Sequence, residues 1–224
     1  FQAIGELLAQ NPIDANAIVA AYVGELQQVT QFIGLAYGLT SDQDVLAAIE
    51  SIRNGNQVSL AAQTIDRSLQ RIFALGIHNR TTLVLDNFDS VATNELALEW
   101  DRAHSAYQAL IDVAAGVDKV LTADKLTFKD GTNPDLDDQI TLAFLNGREA
   151  LSKVNADDRT NVAIARENIV VPLVRGFLKG ALGEIGELIT NRNGDIDKAK
   201  EEQKEAELLY GTVEVFIAQD NPSG

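Results

Sequence analysis

Ile65-Asp66-Arg67-Ser68-Leu69-Gln70-Arg71-Ile72-Phe73 decides the fold class. Its apolar residues recur at four- and three-residue steps, and Leu75 and Ile77 continue the stripe. That is the period of a helix with one buried face, not the period-two alternation of a strand. The same pattern extends outward to a helix over 59–85. Thr81 to Leu85 include β-branched residues, but their neighbours carry them into the helix.

The rest of the chain reads the same way. Asp14 is placed to cap a helix through Ile18, Tyr22, Leu26, Val29, Ile33 and Tyr37, ended by Gly38. Ser41 opens a helix through Val45, Ile49 and Ile52 that stops at Asn54-Gly55-Asn56. Further helices are expected from Ser90 or Thr93 to Gly116, from Asp135 to Val154, from the cap at 155–158 to Thr190, and from Ile196 to Ala218. Pro172 is expected to kink or interrupt the fifth of these six. Lys125 to Phe128 suits a short strand or turn, and 129–134 a loop. Asn191 to Asp195 is a turn, and 221–224 a tail. Lys198 to Glu207 reads as a solvated run of mixed charge. The fold class is therefore all-α, with long antiparallel helices.

The two halves resemble each other. Leu69, Arg71 and Phe73 align with Leu173, Arg175 and Phe177 at a shift of 104. Glu99, Ala103 and Tyr107 align with Glu202, Ala206 and Tyr210 at a shift of 103. A duplicated helical bundle is expected, with halves 1–116 and 136–224 and a connecting segment 117–135, or one compact domain.

Composition narrows the function classes. The 224 residues carry 33 acids and 18 bases, a net charge of −15. Nucleic acid and anionic membrane surfaces are disfavoured, because both are bound through Lys and Arg. A cation partner is favoured, since the field raises its local concentration. No apolar run approaches the roughly 18 residues of a membrane span. The chain has no cysteine, which excludes disulfides, thiolate metal sites and a cysteine nucleophile. It begins Phe1-Gln2-Ala3 and has no methionine, as a processed or trimmed product would. A removed export signal accounts for that, so a periplasmic or secreted location is expected.

Catalytic signatures are missing from the sequence. There is no P-loop, no Gly-x-Ser-x-Gly elbow, no His-Glu-x-x-His pair and no EF-hand spacing. Two histidines cannot make a multi-histidine zinc site within one chain. Asp101-x-x-His104 approaches the Glu-x-x-His pair of a di-iron oxidase, but its partner pair is absent. No enzyme is expected.

The residues that suit a metal are hard donors on predicted helices. Asp101, His104 and Tyr107 combine carboxylate, imidazole and phenol, a set that fits iron(III). Against this stands an ordinary solvated Asp-His pair. His78 offers a second ligand helix, or else lines the bundle. Glu167 lies on an otherwise apolar helix, paired with an arginine or acting as a ligand. Glu207 stands in the second half where His104 stands in the first. Glu184 and Glu187, three apart, make a carboxylate pair or two solvated acids. The candidate metal ligands are therefore His78, Asp101, His104, Tyr107, Glu167 and Glu207. The ion is iron, with zinc or another divalent cation as the alternative.

In overall character the chain resembles the low-iron-inducible periplasmic proteins, typified by the iron-assimilating proteins of green algae. The likeness lies in its acidic, cysteine-free helical sequence and the repeat around Leu69–Phe73 and Leu173–Phe177. It is also similar to the imelysin family, exported helical bundles that carry Gly-x-His-x-x-Glu. Gly76 and His78 match that motif, and Thr81 stands where the acid is expected. Both resemblances imply an iron-related role outside the cytoplasm, and the leading expectation is a protein that holds iron, or another hard cation, between helices and passes it to a membrane transporter. The alternative is a structural or protein-interaction module without a metal.

Overall fold

The computed structural model describes residues 1–112, 136–153 and 158–220. Every regular element among them is a helix. They are α1 (Gln2–Leu8), α2 (Ala15–Tyr22), α3 (Glu25–Tyr37), α4 (Ser41–Arg53), α5 (Val58–Asp86), α6 (Thr93–Asp112), α7 (Leu136–Lys153), α8 (Asp158–Asn191) and α9 (Ile196–Asp220). The all-α class is as expected. The expectations for 117–135, for the 155–157 cap residues and for the tail lie outside the described residues. No described helix is long and apolar enough to cross a membrane.

Three local features differ from expectation. The helix begun at Asp14 is two helices, because Val23 is extended and Gly24 takes φ 125°, which an L side chain rarely adopts. Its start is as read: Asp14 Oδ1 accepts from the amides of Asn16 and Ala17 at 2.9 and 3.1 Å. Its end is also as read, with Gly38 left-handed at φ 68° and the Leu39 amide reaching back to Gly34 O at 2.8 Å. Pro172 does not interrupt α8, which runs on to Asn191. The short α1 adds a helix that the periodicity did not announce.

The chain divides into two compact units: Phe1–Phe73 with Leu178–Gly224, and Ala74–Phe177. The boundary falls inside α5 and α8. It cuts across the halves 1–116 and 136–224, since each unit draws on both. The aligned positions also differ in setting, with Tyr107 fully buried and Tyr210 half exposed.

In the first unit α2 packs on both α1 and α4, and α3 packs on α2 and α4. Ile4, Ile18, Tyr22, Ile49, Ile65 and Leu69 fill the core at 0–1% exposure. In the second unit α6 packs on α7. Trp100 meets Phe144 edge-on at 5.9 Å, and Tyr107 meets the same ring at 5.7 Å. Trp100 Nε1 donates to Phe144 O at 2.9 Å, so the one polar atom of the indole is satisfied inside the core.

Candidate functional site

Helical spacing puts Glu202 and Glu205, three residues apart, on one face of α9. The same face carries Ala199, Ala206 and Leu209, all buried. Glu184 comes from the inner side of α8. One oxygen from each of the three carboxylates lies within 4.8 Å of the others. Among the described residues this is the one group of three acids or imidazoles gathered closely enough to hold an ion.

Two basic residues face the cluster. Arg67 on α5 is 9% exposed and donates through Nε and Nη2 to Glu205 Oε2 at 2.9 and 2.5 Å. Its Nη2 stands 3.5 Å from Glu184 Oε1, and its Nη1 reaches Gln70 Oε1 at 3.3 Å and Asp66 at 3.4 Å. Lys198 Nζ lies 2.6 Å from Glu202 Oε1, with its side chain 43% exposed. Glu202 and Glu205 are only 1% and 3% exposed.

Crowding separates the acids in their protonation. Burial, then the close carboxyl contact with Glu202 and the charge of Glu205, push Glu184 up to about 8 against the pull of Arg67. Burial would raise Glu202 too, but Glu184 and the Lys198 ammonium outweigh it and hold Glu202 below its ordinary value. Burial raises Asp66, with Glu205 adding to it and Arg67 and Gln70 opposing. Contact with Glu202 raises Lys198, which stays charged. Crowding thus favours the neutral form of Glu184 and the charged forms of Glu202 and Lys198.

The six residues expected as ligands have other settings. His78 is 4% exposed, and Arg166 Nη2 lies 2.8 Å from its Nε2. A guanidinium only donates, so that imidazole nitrogen is the acceptor and its lone pair is engaged. Arg166 also donates to Thr82 Oγ1 at 3.2 Å and pairs with Glu167 at 3.1 Å, whose side chain is 61% exposed. Asp101 accepts from Arg148 Nε at 2.9 Å. The His104 ring stacks on Phe144 at 4.8 Å, with Gln108 at 3.4 Å from Nε2. Tyr107 donates to Asp137 from full burial. Glu207 is exposed and accepts from Gln203 at 2.9 Å. Their imidazoles and carboxylates make no group of three around a common point among the described residues.

The solvated-run expectation for 198–207 is corrected at Glu202 and Glu205, both buried. The inward spacing of Ala199, Glu202, Ala206 and Leu209 is the sequence signal that marks them. Glu184 was singled out, but with Glu187 rather than with the acids of the next helix. Comparison with known protein families, with curated proteins and with solved structures finds no match for this chain.

Proposed function

We propose that this chain is a non-catalytic binding protein for a hard cation, held by Glu184, Glu202 and Glu205, and that the cation is iron, bound outside the cytoplasm for delivery to a membrane transporter. The observation that carries this is the convergence of three carboxylates from two helices on one partly dry point. Carboxylate oxygens suit hard ions such as iron(III), manganese and calcium, whereas zinc and copper prefer nitrogen or sulfur. The net charge of −15 raises the local cation concentration. The hard oxygen donors and the resemblance to iron-assimilating proteins support iron and an extracytoplasmic location, and delivery to a transporter follows from a binding role without turnover.

Metal content after dialysis against iron(III), zinc, copper and manganese tests this, with wild type set beside Glu202→Gln and His104→Ala. Near-stoichiometric iron that is lost in E202Q and kept in H104A is the expected result. Retention in E202Q moves the ion elsewhere, and no metal in wild type removes the proposal.

A second reading, an interaction module, has its own observation. Leu178, Leu182, Ile185 and Ile189 lie at steps of four, three and four on α8, which places them on one face, and they are 39–58% exposed. A contiguous apolar stripe of this kind suits a partner helix.

A further inference from the structure

Leu178, Leu182, Ile185 and Ile189 sit on the part of α8 that belongs to the first unit. Their alternating steps of four and three are the spacing of a two-stranded helical seam. At about 100° per residue, Lys179, Gly183, Gly186 and Glu187 fall on the solvent side of that seam, and all four are exposed. Glycine weakens a helix interior relative to alanine, so each one there needs a reason. Gly180 has one, since a Cβ on it would meet Leu209 Cδ1 at 3.3 Å. A Cβ on Gly183 or Gly186 would meet nothing within 4 Å, so no packing among the described residues accounts for either. Close approach of another backbone does account for them.

The charge of the face narrows the partner. The chain carries −15, yet the seam is flanked by one base, Lys179, and one acid, Glu187. Glu184 is turned inward, with its side chain 18% exposed. A strongly acidic face would call for a basic partner, whereas a locally neutral one can meet its own copy.

We infer that this face docks on the same face of a second copy of this chain, with the two α8 helices antiparallel about a twofold axis between Gly183 and Glu184. That axis sets Leu178 against Ile189 of the other copy, and Leu182 against Ile185. It also brings Lys179 within one residue's rise, about 1.5 Å along the helix, of Glu187 of the other copy, and does so twice. The two residues meet because antiparallel helices related by such an axis place solvent flank beside solvent flank. The glycines share that flank and let the backbones close. A parallel pair would bury the same seam but set Lys179 and Glu187 opposite the inner flank of Ala181 and Leu188, matching no charge to charge. The inference rests on the interaction reading of α8 and not on the cation site.

The test is sedimentation equilibrium of the full chain from micromolar to near-millimolar concentration. Physiological salt screens the repulsion between two acidic chains beyond about 8 Å. Wild type is compared with Leu182→Glu, Leu35→Glu, Lys179→Glu and the double swap Lys179→Glu with Glu187→Lys, each checked for folding by far-UV circular dichroism. Leu35 on α3 is 84% exposed, so L35E controls for an acid placed on an exposed leucine elsewhere in the same unit. The expected result is a monomer–dimer equilibrium in wild type and L35E that is abolished in L182E. K179E should weaken it about tenfold or more, and the double swap should restore it. Dimers that persist in L182E, or that K179E leaves untouched, overturn the inference. A wild-type monomer at every concentration also overturns it, and Nile red then separates the two readings. Dye fluorescence that falls in L182E but not in L35E rejects the second copy and keeps the face open to another partner. Equal fluorescence in both removes the interaction reading as well.

Discussion

A Cβ built on Gly147 would lie 2.1 Å from Cζ2 of Trp100 and under 3 Å from two further atoms of the indole. The glycine on α7 is thus the recess into which the α6 tryptophan fits. Trp100 is 1% exposed and its Nε1 is tied to Phe144 O, so the ring has no free direction in which to retreat. Gly147→Ala gains helix propensity but must tilt the ring or part the helices. Overpacking of this kind costs about 1–3 kcal/mol, and here the upper part of the range is expected because a buried hydrogen bond is strained as well. Trp100 is the only tryptophan, so its fluorescence reports the unfolding midpoint in urea directly. An unchanged midpoint in G147A would mean that the recess is looser than its geometry.

Glu184 makes stability depend on pH in a defined window. Its folded value is about 8 against an ordinary 4.5, so the folded state holds a proton that the unfolded chain has released between those limits. The contribution is fully present below about 4.5 and is lost as pH rises to about 8. Glu202, held low, acts on the opposite limb: its contribution is present above its ordinary value and fades in acid, outside this window. Glu184→Gln keeps a neutral side chain of the same shape. Thermal midpoints at pH 5, 7 and 9 should therefore fall less in E184Q than in wild type. Parallel profiles would show that Glu184 titrates normally.

Asp42 gathers three donors. Tyr22 Oη reaches its Oδ1 at 2.8 Å, Gln27 Nε2 the same oxygen at 3.1 Å, and Gln31 Nε2 its Oδ2 at 2.8 Å. Burial favours the neutral acid, but these donors outweigh it and hold Asp42 below its ordinary value, while burial and the same contact push the Tyr22 hydroxyl well up. Asp42→Ala leaves the fully buried Tyr22 hydroxyl without this acceptor, at a cost of about 1–3 kcal/mol by urea denaturation. In wild type the contribution is present above the ordinary carboxylate value and is lost as pH falls through the depressed one. The D42A deficit should therefore shrink in acid. A deficit that stays constant from pH 7 to 3 would assign the cost to packing instead.

How far each feature was legible follows from the range of the forces that set it. The stripe through Ile65, Leu69 and Ile72 is local and repetitive, so it announces a helix from sequence alone. The break at Gly24 is local too, but one glycine inside an apolar period weighs little until its backbone is seen at φ 125°. Pro172 shows the reverse: a strong local signal that does not end α8, which continues on both sides of it. The candidate site was the least legible part. Glu205 meets an arginine 138 residues away, and nothing local separates a buried charge with a distant partner from a solvated one. Arg166 reaches His78 Nε2 from 88 residues on, a contact that nothing near His78 in the sequence announces.

Arg67 and Glu205 carry the last prediction. Their ion pair lies at 2.5 Å with side chains 9% and 3% exposed, so neither charge has water to fall back on. Arg67→Met leaves Glu202 and Glu205 with Lys198 as the one remaining cation facing the cluster, and breaking a buried pair on one side costs about 3–5 kcal/mol. Arg67→Met with Glu205→Leu removes both charges and fills the space with apolar atoms. It should recover most of the loss, because the pair's attraction was largely spent on its own desolvation. Urea midpoints of the two single variants and the double close a thermodynamic cycle, in which the double should lie closer to wild type than R67M does. A double variant as unstable as the sum of the singles would mean that Arg67 and Glu205 stabilise the first unit independently. Iron binding, with Glu205 gone, should be lost in the double even where stability returns, which separates the structural part of the cluster from its proposed function.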